Sequence, residues 1–191
     1  NGLTPKYIPG FSWGSEGVKR YTLEKALSDI ENWKQLKGQT LSDDEKTVLL
    51  SFNEMLNKWT GSGNRFLCAH NGKEFDFPYL CRRMIINSIP IPSLLNIAGK
   101  KPWEVSHLDT MELWKFGDFK SYTSLNLLAH SLGIPTPKDD IDGSMVWEVY
   151  WKEKNLPRIV TYCQKDVVTV AQILLRLGGE SLIKEENIEI K

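Results

Sequence analysis

The chain lacks an excess of charge of either sign. Its 24 Lys and Arg residues are balanced by 24 Asp and Glu residues over 191 positions. A protein that holds long nucleic acid mainly by releasing counter-ions needs a surplus of cations. Electrical neutrality therefore excludes that mode of binding, and any contact with nucleic acid must be local.

The sequence is also poor in cysteine and in long apolar runs. Its three cysteines, Cys68, Cys81 and Cys163, are odd in number and show no C-x-x-C spacing, which indicates a reducing compartment without disulfides. We interpret them as core thiols. No stretch approaches the ~18 apolar residues of a membrane span, and none has the pattern of a signal peptide. We therefore expect a cytoplasmic protein.

Hydrophobic residues make up 41% of the chain and charged residues 25%, which is typical of a domain that buries a core. We expect one domain over residues 1–191. Two aromatic or β-branched runs, 7–13 and 18–23, predict a hairpin across a Gly-bounded turn. The apolar run 65–70 predicts a buried strand, and 105–109 predicts another.

Helical spacing dominates the rest of the sequence. Ser42, with Glu45 three residues later, predicts a helix start, and apolar residues follow at steps of three and four: Val48, Leu49, Phe52, Leu56 and Trp59. Further helices are predicted at 78 to about 87, 122–132, 144–154 and 157–177, the last ended by Gly178-Gly179. Strands that alternate with helices predict an α/β fold in which helices flank a sheet.

The last predicted helix carries Asp166 in the middle of an apolar stripe. The stripe is formed by Ile159, Tyr162, Cys163, Val170 and Ile173. None of the residues three or four positions from Asp166 is cationic, and an unpaired carboxylate is costly to desolvate. Compensation would come from elsewhere in the fold, either from a metal ion or from a distant Lys or Arg, unless the stripe is wide enough to leave Asp166 at its edge.

A second carboxylate, Asp76, lies between the predicted strand at 65–70 and the helix that follows. Functional sites in α/β proteins gather just beyond the carboxyl ends of strands. The alternative is helix capping, for which Asp is favoured. Because Pro prefers the first helical position, Pro78 would make Phe77 the cap and leave Asp76 outside the helix. This spacing weakens the capping interpretation without removing it.

Two spaced motifs resemble those of a known family. Asn71-x-x-x-Phe75-Asp76 resembles the second exonuclease motif of the DEDDy (DnaQ-like) exonucleases, and Tyr162-x-x-x-Asp166 resembles the third. The resemblance extends from about residue 41 to 177. It is closest to bacterial 3′-to-5′ exonucleases related to the proofreading domain of family B DNA polymerases, to which the stretches HNGKEFDFPYLCRRM, HLDTMELWKFGD and KDDIDGSMV are also similar.

The resemblance implies a fold and a set of roles. The fold would be a ribonuclease H-like mixed sheet flanked by helices. Asp166 would ligate a metal directly and Asp76 would act on a second metal, with Mg²⁺ or Mn²⁺ as the ions. Tyr162 would orient the attacking water, and Asn71 and Phe75 would lie near the terminal nucleotide. The implied activity is removal of nucleotides from the free 3′ end of single-stranded nucleic acid, with DNA favoured, by a two-metal mechanism.

The first motif of that family does not occur in this chain in its usual context. The family carries Asp-x-Glu on a central strand, and the Asp-x-Glu of this chain is Asp29-Ile30-Glu31. Its apolar neighbours have helical spacing, which would direct the two acids about 200° apart. We interpret it as unrelated and expect the family's first motif, with its strand, upstream of Asn1. The alternatives are a non-catalytic nucleic-acid-binding module of the same fold and a structural domain of a larger replication or repair protein.

For two further kinds of residue the sequence favours a structural role. Asp109 follows a predicted strand and precedes Thr110, so it lies near the site or starts a helix, and we favour the helix start. Five tryptophans are predicted to belong to the core and not to platforms for base stacking: Trp13, Trp59, Trp103, Trp114 and Trp147.

Overall fold

The computed structural model describes residues 44–59, 65–101, 104–118, 120–135 and 140–189. The predicted hairpin at 7–13 and 18–23 lies outside these ranges, as does the Asp29-Ile30-Glu31 segment. The chain divides into two compact units. Of the described residues, the strand unit contains 68–72 and those from 108 onward, and the helical unit contains those from 44 to 67 and from 73 to 107. The prediction of a single domain over the whole chain stays a prediction.

The helical unit begins with helix α1, Glu45–Trp59. The Asp44 carboxylate caps it by accepting hydrogen bonds from the Thr47 backbone N–H, at 3.0 Å, and from the Thr47 hydroxyl. The predicted helix is therefore confirmed, but it starts later than the Ser42 cap implied. Glu45 is the first helical residue, and Ser42 lies outside the described residues.

Helix α2 spans Asp76–Ile86 and starts two residues before the predicted position. The Tyr79 N–H donates to the Phe75 carbonyl at 2.9 Å and closes the first turn. Pro78 fits this turn, because the first N–H groups of a helix have no helical acceptor. Asp76 is consequently a first-turn acid, where its charge complements the helix dipole, and it is not the cap.

Helices α1 and α2 pack together through apolar side chains and one ionic cluster. The buried side chains are Leu49 and Leu56 of α1 and Phe77 and Met84 of α2. The Arg83 guanidinium donates two hydrogen bonds to the Glu45 carboxylate, and the Asn87 amide adds a third at 3.1 Å. These bonds lower the pKa of Glu45 and fix the start of α1 against the end of α2.

After α2 the chain passes into a short 3₁₀ turn at Ser93–Leu95. His107 joins two backbone segments there. Its Nδ1 accepts from the Leu67 N–H at 3.3 Å, which places the ring proton on Nε2, and Nε2 donates to the Leu94 carbonyl at 2.8 Å. Burial lowers the pKa of His107, in keeping with a neutral ring that both donates and accepts.

The strand unit is a helix-rich α/β arrangement around a small parallel sheet. Strand β1, Cys68–Ala69, pairs with strand β2, Leu108–Asp109, with Cys68 opposite Leu108 and Ala69 opposite Asp109. Both strands are shorter than predicted. The helices are α3, Thr110–Lys115; α4, Leu125–Ser131; α5, Val146–Glu148, which continues as a π-helical turn at Val149–Glu153; and α6, Leu156–Leu177.

The core of this unit forms where α4 packs against α6. Its buried members are Leu128, Ala129, Ile134 and Ile173, surrounded by Trp114, Leu125, Leu132, Leu177 and Leu182. Gln172 of α6 makes two hydrogen bonds to the backbone of Ile183, at 2.8 and 2.9 Å, and so fixes the segment after the helix. None of the helices in the described ranges has the length and apolar character needed to cross a membrane.

Two predictions about the core are wrong. Cys163 is exposed, whereas Cys68 and Cys81 are partly buried; burial and the nearby Asp109 carboxylate raise the pKa of Cys68 to about 12. Trp147 is 62% exposed and not part of the core. Trp114 does pack against the core cluster, Trp59 is half-buried, and Trp13 and Trp103 lie outside the described residues.

The buried His107 imidazole predicts a loss of stability at mildly acidic pH. Since the folded-state pKa lies below the usual 6.5, the unfolded chain takes up a proton that the folded chain resists as the pH falls through that value. The stabilisation is complete above the unfolded pKa and declines below it. The His107→Gln variant should be less stable at about pH 7.5 but should lose less stability on acidification, as measured by urea unfolding at several pH values. An equally steep decline in the variant would contradict this assignment.

Candidate functional site

The two strands of the small sheet end at the same edge. They run parallel, so the residues after β1 and those at the end of β2 meet there. These residues are His70, Asn71, Asp109 and Thr110. In α/β proteins ligands bind at this kind of edge, beyond the carboxyl ends of strands.

Asp109 organises this edge with one buried carboxylate. The residue is 2% exposed, and its Oδ1 accepts hydrogen bonds from the Asn71 N–H at 2.9 Å and from the Met111 N–H at 3.0 Å. The second bond caps α3, which confirms that Asp109 starts a helix. The bond from the Asn71 N–H was not predicted, and it fixes the chain as it leaves β1.

His70 ties a third segment to the same edge. Its Nε2 donates to the Thr123 carbonyl at 2.8 Å, and its Nδ1 accepts from the Thr110 hydroxyl at 2.9 Å. Both threonines are buried. The imidazole therefore connects the end of β1, the start of α3 and the segment that precedes α4.

Asn71 has an unusual backbone and an unsatisfied side chain. Its φ of 62° lies in the left-handed region, which Asn tolerates better than most residues. Its amide oxygen is buried and accepts no hydrogen bond within the described structure. Leaving a buried acceptor unpaired costs roughly 1 to 3 kcal/mol. A ligand that brought a hydrogen-bond donor to this oxygen would recover that free energy.

Helix α6 places Tyr162 and Asp166 one turn apart, and it passes close to β1. Both residues are partly buried. The pKa of the neighbouring Cys163 thiol is raised, first by desolvation and then by the negative charge of Asp166. The strand unit thus contains three of the predicted site residues: Asn71, Tyr162 and Asp166.

Tyr162 lines a cleft of about 180 Å³ in the strand unit. The other lining residues are Asp140, Ile141, Arg158, Thr161 and Lys165. Arg158 is fixed by two acids: its guanidinium donates to Asp140, with one of the two contacts at 2.9 Å, and to Glu153 at 2.6 Å. The Asp140 bond raises the pKa of Arg158 and lowers that of Asp140.

Sequence reasoning missed the charged residues around Tyr162. Asp140 and Arg158 are 18 positions apart, so no helical or strand spacing connects them. Asp140 belongs to the stretch KDDIDGSMV, which is similar to the exonuclease family. That similarity did not predict an ion pair between Asp140 and Arg158. On α6, Arg158 lies one turn before Tyr162 and Lys165 lies one turn after it. Helical spacing in the sequence was therefore enough to place these two cations beside Tyr162.

The other two predicted site residues, Phe75 and Asp76, belong to the helical unit. Both are exposed at the start of α2, and the Phe75 ring stacks on Tyr79 with centroids 5.9 Å apart. Among the described residues no group of three His, Cys, Asp or Glu side chains is arranged to hold a metal ion. The pairing of Asp76 with Asp166 stays a prediction.

We expect replacement of Asp109 to weaken the fold around the sheet edge. Asp109→Ala removes the acceptor of two backbone N–H groups and should lower the free energy of unfolding by about 2 kcal/mol or more. Asp109→Asn retains an acceptor oxygen and should cost less. Asp118→Ala, which removes an exposed acceptor for the Lys120 N–H, is the control and should change stability little. Chemical denaturation measures all three, and an unchanged Asp109→Ala variant would contradict the role of Asp109.

The family of the chain follows from comparison with known proteins. Searches of curated proteins and of solved structures gave no significant match. One family model matches residues 23–182, and this range contains all five predicted site residues. The resemblance drawn from the two motifs is therefore confirmed. The chain belongs to a family of predicted 3′-5′ exonucleases related to the exonuclease domain of PolB.

Proposed function

We propose that the protein hydrolyses phosphodiester bonds at the 3′ end of single-stranded nucleic acid, with DNA favoured over RNA, by a two-metal mechanism. The observation that carries the proposal is the position of Tyr162 and Asp166. They lie one turn apart on a helix that passes close to β1, and the chain leaving β1 carries the buried, unsatisfied amide oxygen of Asn71. Because the chain belongs to a family of predicted 3′-5′ exonucleases, we interpret this arrangement as part of a site for phosphodiester hydrolysis.

The proposal extends to the fold. The described sheet has two parallel strands with helices packed beside them. In a ribonuclease H-like domain these would be two neighbouring strands of a larger mixed sheet. The short strands end at the edge that carries Asn71 and Asp109, which is the edge where such a sheet would place its site.

The donor chemistry of the two aspartates fits divalent cations. Mg²⁺ prefers hard oxygen ligands and is commonly bound through one or two protein carboxylates together with water and substrate phosphate. Asp166 and Asp76 supply two such carboxylates, so a third protein ligand among the described residues is not required. Cations bound there would lower the pKa of the attacking water and neutralise charge on the leaving oxygen.

The remaining side chains have roles that need no cation. Tyr162 lines the cleft, and its hydroxyl would orient the attacking water by a hydrogen bond. The Asn71 amide oxygen would accept a hydrogen bond from the terminal nucleotide and so become satisfied. Phe75 is 62% exposed and has one face against Tyr79, which leaves the other face for a base. Stacking of this kind requires an unpaired base and favours single strands.

A second candidate is a non-catalytic nucleic-acid-binding module of the same fold. It is favoured by one observation, that the described residues contain no group of three metal-ligating side chains. The two candidates differ in a single respect, because the module would bind a 3′ end without hydrolysing it.

We expect Asp166→Asn and Asp76→Asn each to lower the rate of nucleotide release by more than about 100-fold, which corresponds to a loss of roughly 3 kcal/mol in transition-state stabilisation. The assay is the shortening of a 5′-labelled single-stranded oligonucleotide with Mg²⁺ or Mn²⁺ present. Asp118→Asn, at an exposed acid of the strand unit, is the control and should leave the rate unchanged. Undiminished cleavage by Asp166→Asn would show that the site is elsewhere. Binding without cleavage by the full-length protein would support the module.

The role of the tyrosine hydroxyl is tested by Tyr162→Phe, which keeps the ring in the cleft. Loss of one hydrogen bond to the attacking water should reduce kcat by roughly 10- to 100-fold and leave KM nearly unchanged. Tyr122→Phe, at an exposed tyrosine of the same unit, serves as the control. A Tyr162→Phe variant with the parent kcat would contradict the proposed role.

A further inference from the structure

Two tryptophans in the strand unit project into solvent. Trp147 is 62% exposed and Trp151 is 57% exposed, and they lie four residues apart on α5 and the π-helical turn that follows it. Single exposed apolar residues are ordinary, but neighbouring exposed aromatic rings often mark a binding surface. We call this surface the tryptophan patch and define it by Trp147, Trp151, Lys152 and Lys154.

Each indole of the tryptophan patch is accompanied by an ammonium group. The Lys152 Nζ lies 5.5 Å from the centroid of the Trp147 ring, and the Lys154 Nζ lies 4.9 Å from that of Trp151. The Tyr150 ring meets Trp151 edge to face, with centroids 4.9 Å apart. These contacts hold the rings in place while leaving more than half of each tryptophan accessible.

The backbone under the patch is irregular. Residues Val149–Glu153 form a π-helical turn, a conformation that is rare and frequently occurs at functional sites. Val149 anchors the turn because it is fully buried. Lys154 ends it with a φ of 54°, in the left-handed region that side chains other than Gly and Asn seldom adopt.

The tryptophan patch is connected to the cleft that contains Tyr162. Glu153, the last residue of the π-helical turn, accepts a hydrogen bond from Arg158 at 2.6 Å. Arg158 lines the cleft and also donates to Asp140 on its other side. Arg158 therefore contacts both the segment that carries the tryptophans and the segment that lines the cleft.

The charge around the patch indicates how it would bind. Lys152 and Lys154 are balanced by Glu148 and Glu153, and Lys152 already forms an ion pair with Glu148 at 2.8 Å. A neutral surface gains little from counter-ion release. Base stacking on aromatic rings does not require net charge and accepts every base. A protein partner would instead need a continuous apolar centre, and here an ammonium group lies over each ring.

We propose that Trp147 and Trp151 form a stacking surface for the bases of single-stranded nucleic acid upstream of the 3′ end. This inference rests on the proposed function, since it assumes that the 3′ end lies at Tyr162. The surface lengthens the contact with the substrate and adds affinity without acting on the scissile bond.

The first test measures binding without turnover. A fluorescent single-stranded oligothymidylate is titrated in the presence of EDTA with the parent chain and with Trp147→Ala/Trp151→Ala. The double variant should bind roughly 10- to 100-fold more weakly, with the same dependence on salt, because stacking and not phosphate contact is lost. Replacement of both tryptophans by Phe should retain most of the affinity. Phe116→Ala, at another exposed aromatic residue of the same unit, should bind like the parent.

The second test separates this inference from the exonuclease proposal. With Mg²⁺ or Mn²⁺, the double Ala variant should show a raised KM and an unchanged kcat on a long oligonucleotide, and parent-like cleavage of a dinucleotide that is too short to reach the patch. If the parent cleaves neither substrate, the exonuclease proposal fails while the binding contrast still tests the patch. Parent-like binding by the double Ala variant would overturn the stacking surface, and so would an equal loss in Phe116→Ala.

Discussion

The buried carboxylate of Asp109 is the interaction on which the candidate site depends. It joins the ends of two parallel strands by accepting one N–H from the residue that leaves β1 and one from the first turn of α3. A charged group that is 2% exposed is stable only when its oxygens are satisfied. Asn71, whose N–H makes the first of these bonds, has a left-handed backbone conformation. The amide oxygen of Asn71 is thereby held in a buried position without a donor.

Helix α6 supplies the other half of the candidate site. Its length lets one element perform three tasks: Ile173 fills the core beside α4, Tyr162 lines the cleft one turn before Asp166, and Arg158 is hydrogen-bonded to Asp140 and Glu153. The electrically neutral chain has no strong overall field to attract nucleic acid. The proposed contacts are accordingly short-range ones, namely carboxylates for cations, an amide oxygen for the terminal nucleotide and aromatic faces for bases.

The positions of the helices were predicted more accurately than their first and last residues or the contacts between them. Apolar spacing located α1, α2, α4 and α6. The start of α2 was predicted at Pro78, two residues too late, because Pro is accepted throughout the first turn of a helix. Trp147 was wrongly assigned to the core, since it is 62% exposed and lies just before the π-helical turn at Val149–Glu153. The two motifs identified the family, whereas the Asn71 to Asp109 and Asp140 to Arg158 contacts join residues 38 and 18 positions apart. Long-range pairing of that kind depends on the tertiary fold and leaves no local pattern.

The central claim is that Asp166 and Asp76 hold divalent cations for hydrolysis at a 3′ end. The most direct measurement is a Mn²⁺ titration followed by electron paramagnetic resonance, with the parent chain and the two Asp→Asn variants, in the presence of a nucleoside 5′-monophosphate as the product. The account predicts that the parent binds Mn²⁺ and that either substitution weakens binding by at least about 10-fold. Equal Mn²⁺ binding by the parent and both variants would contradict it.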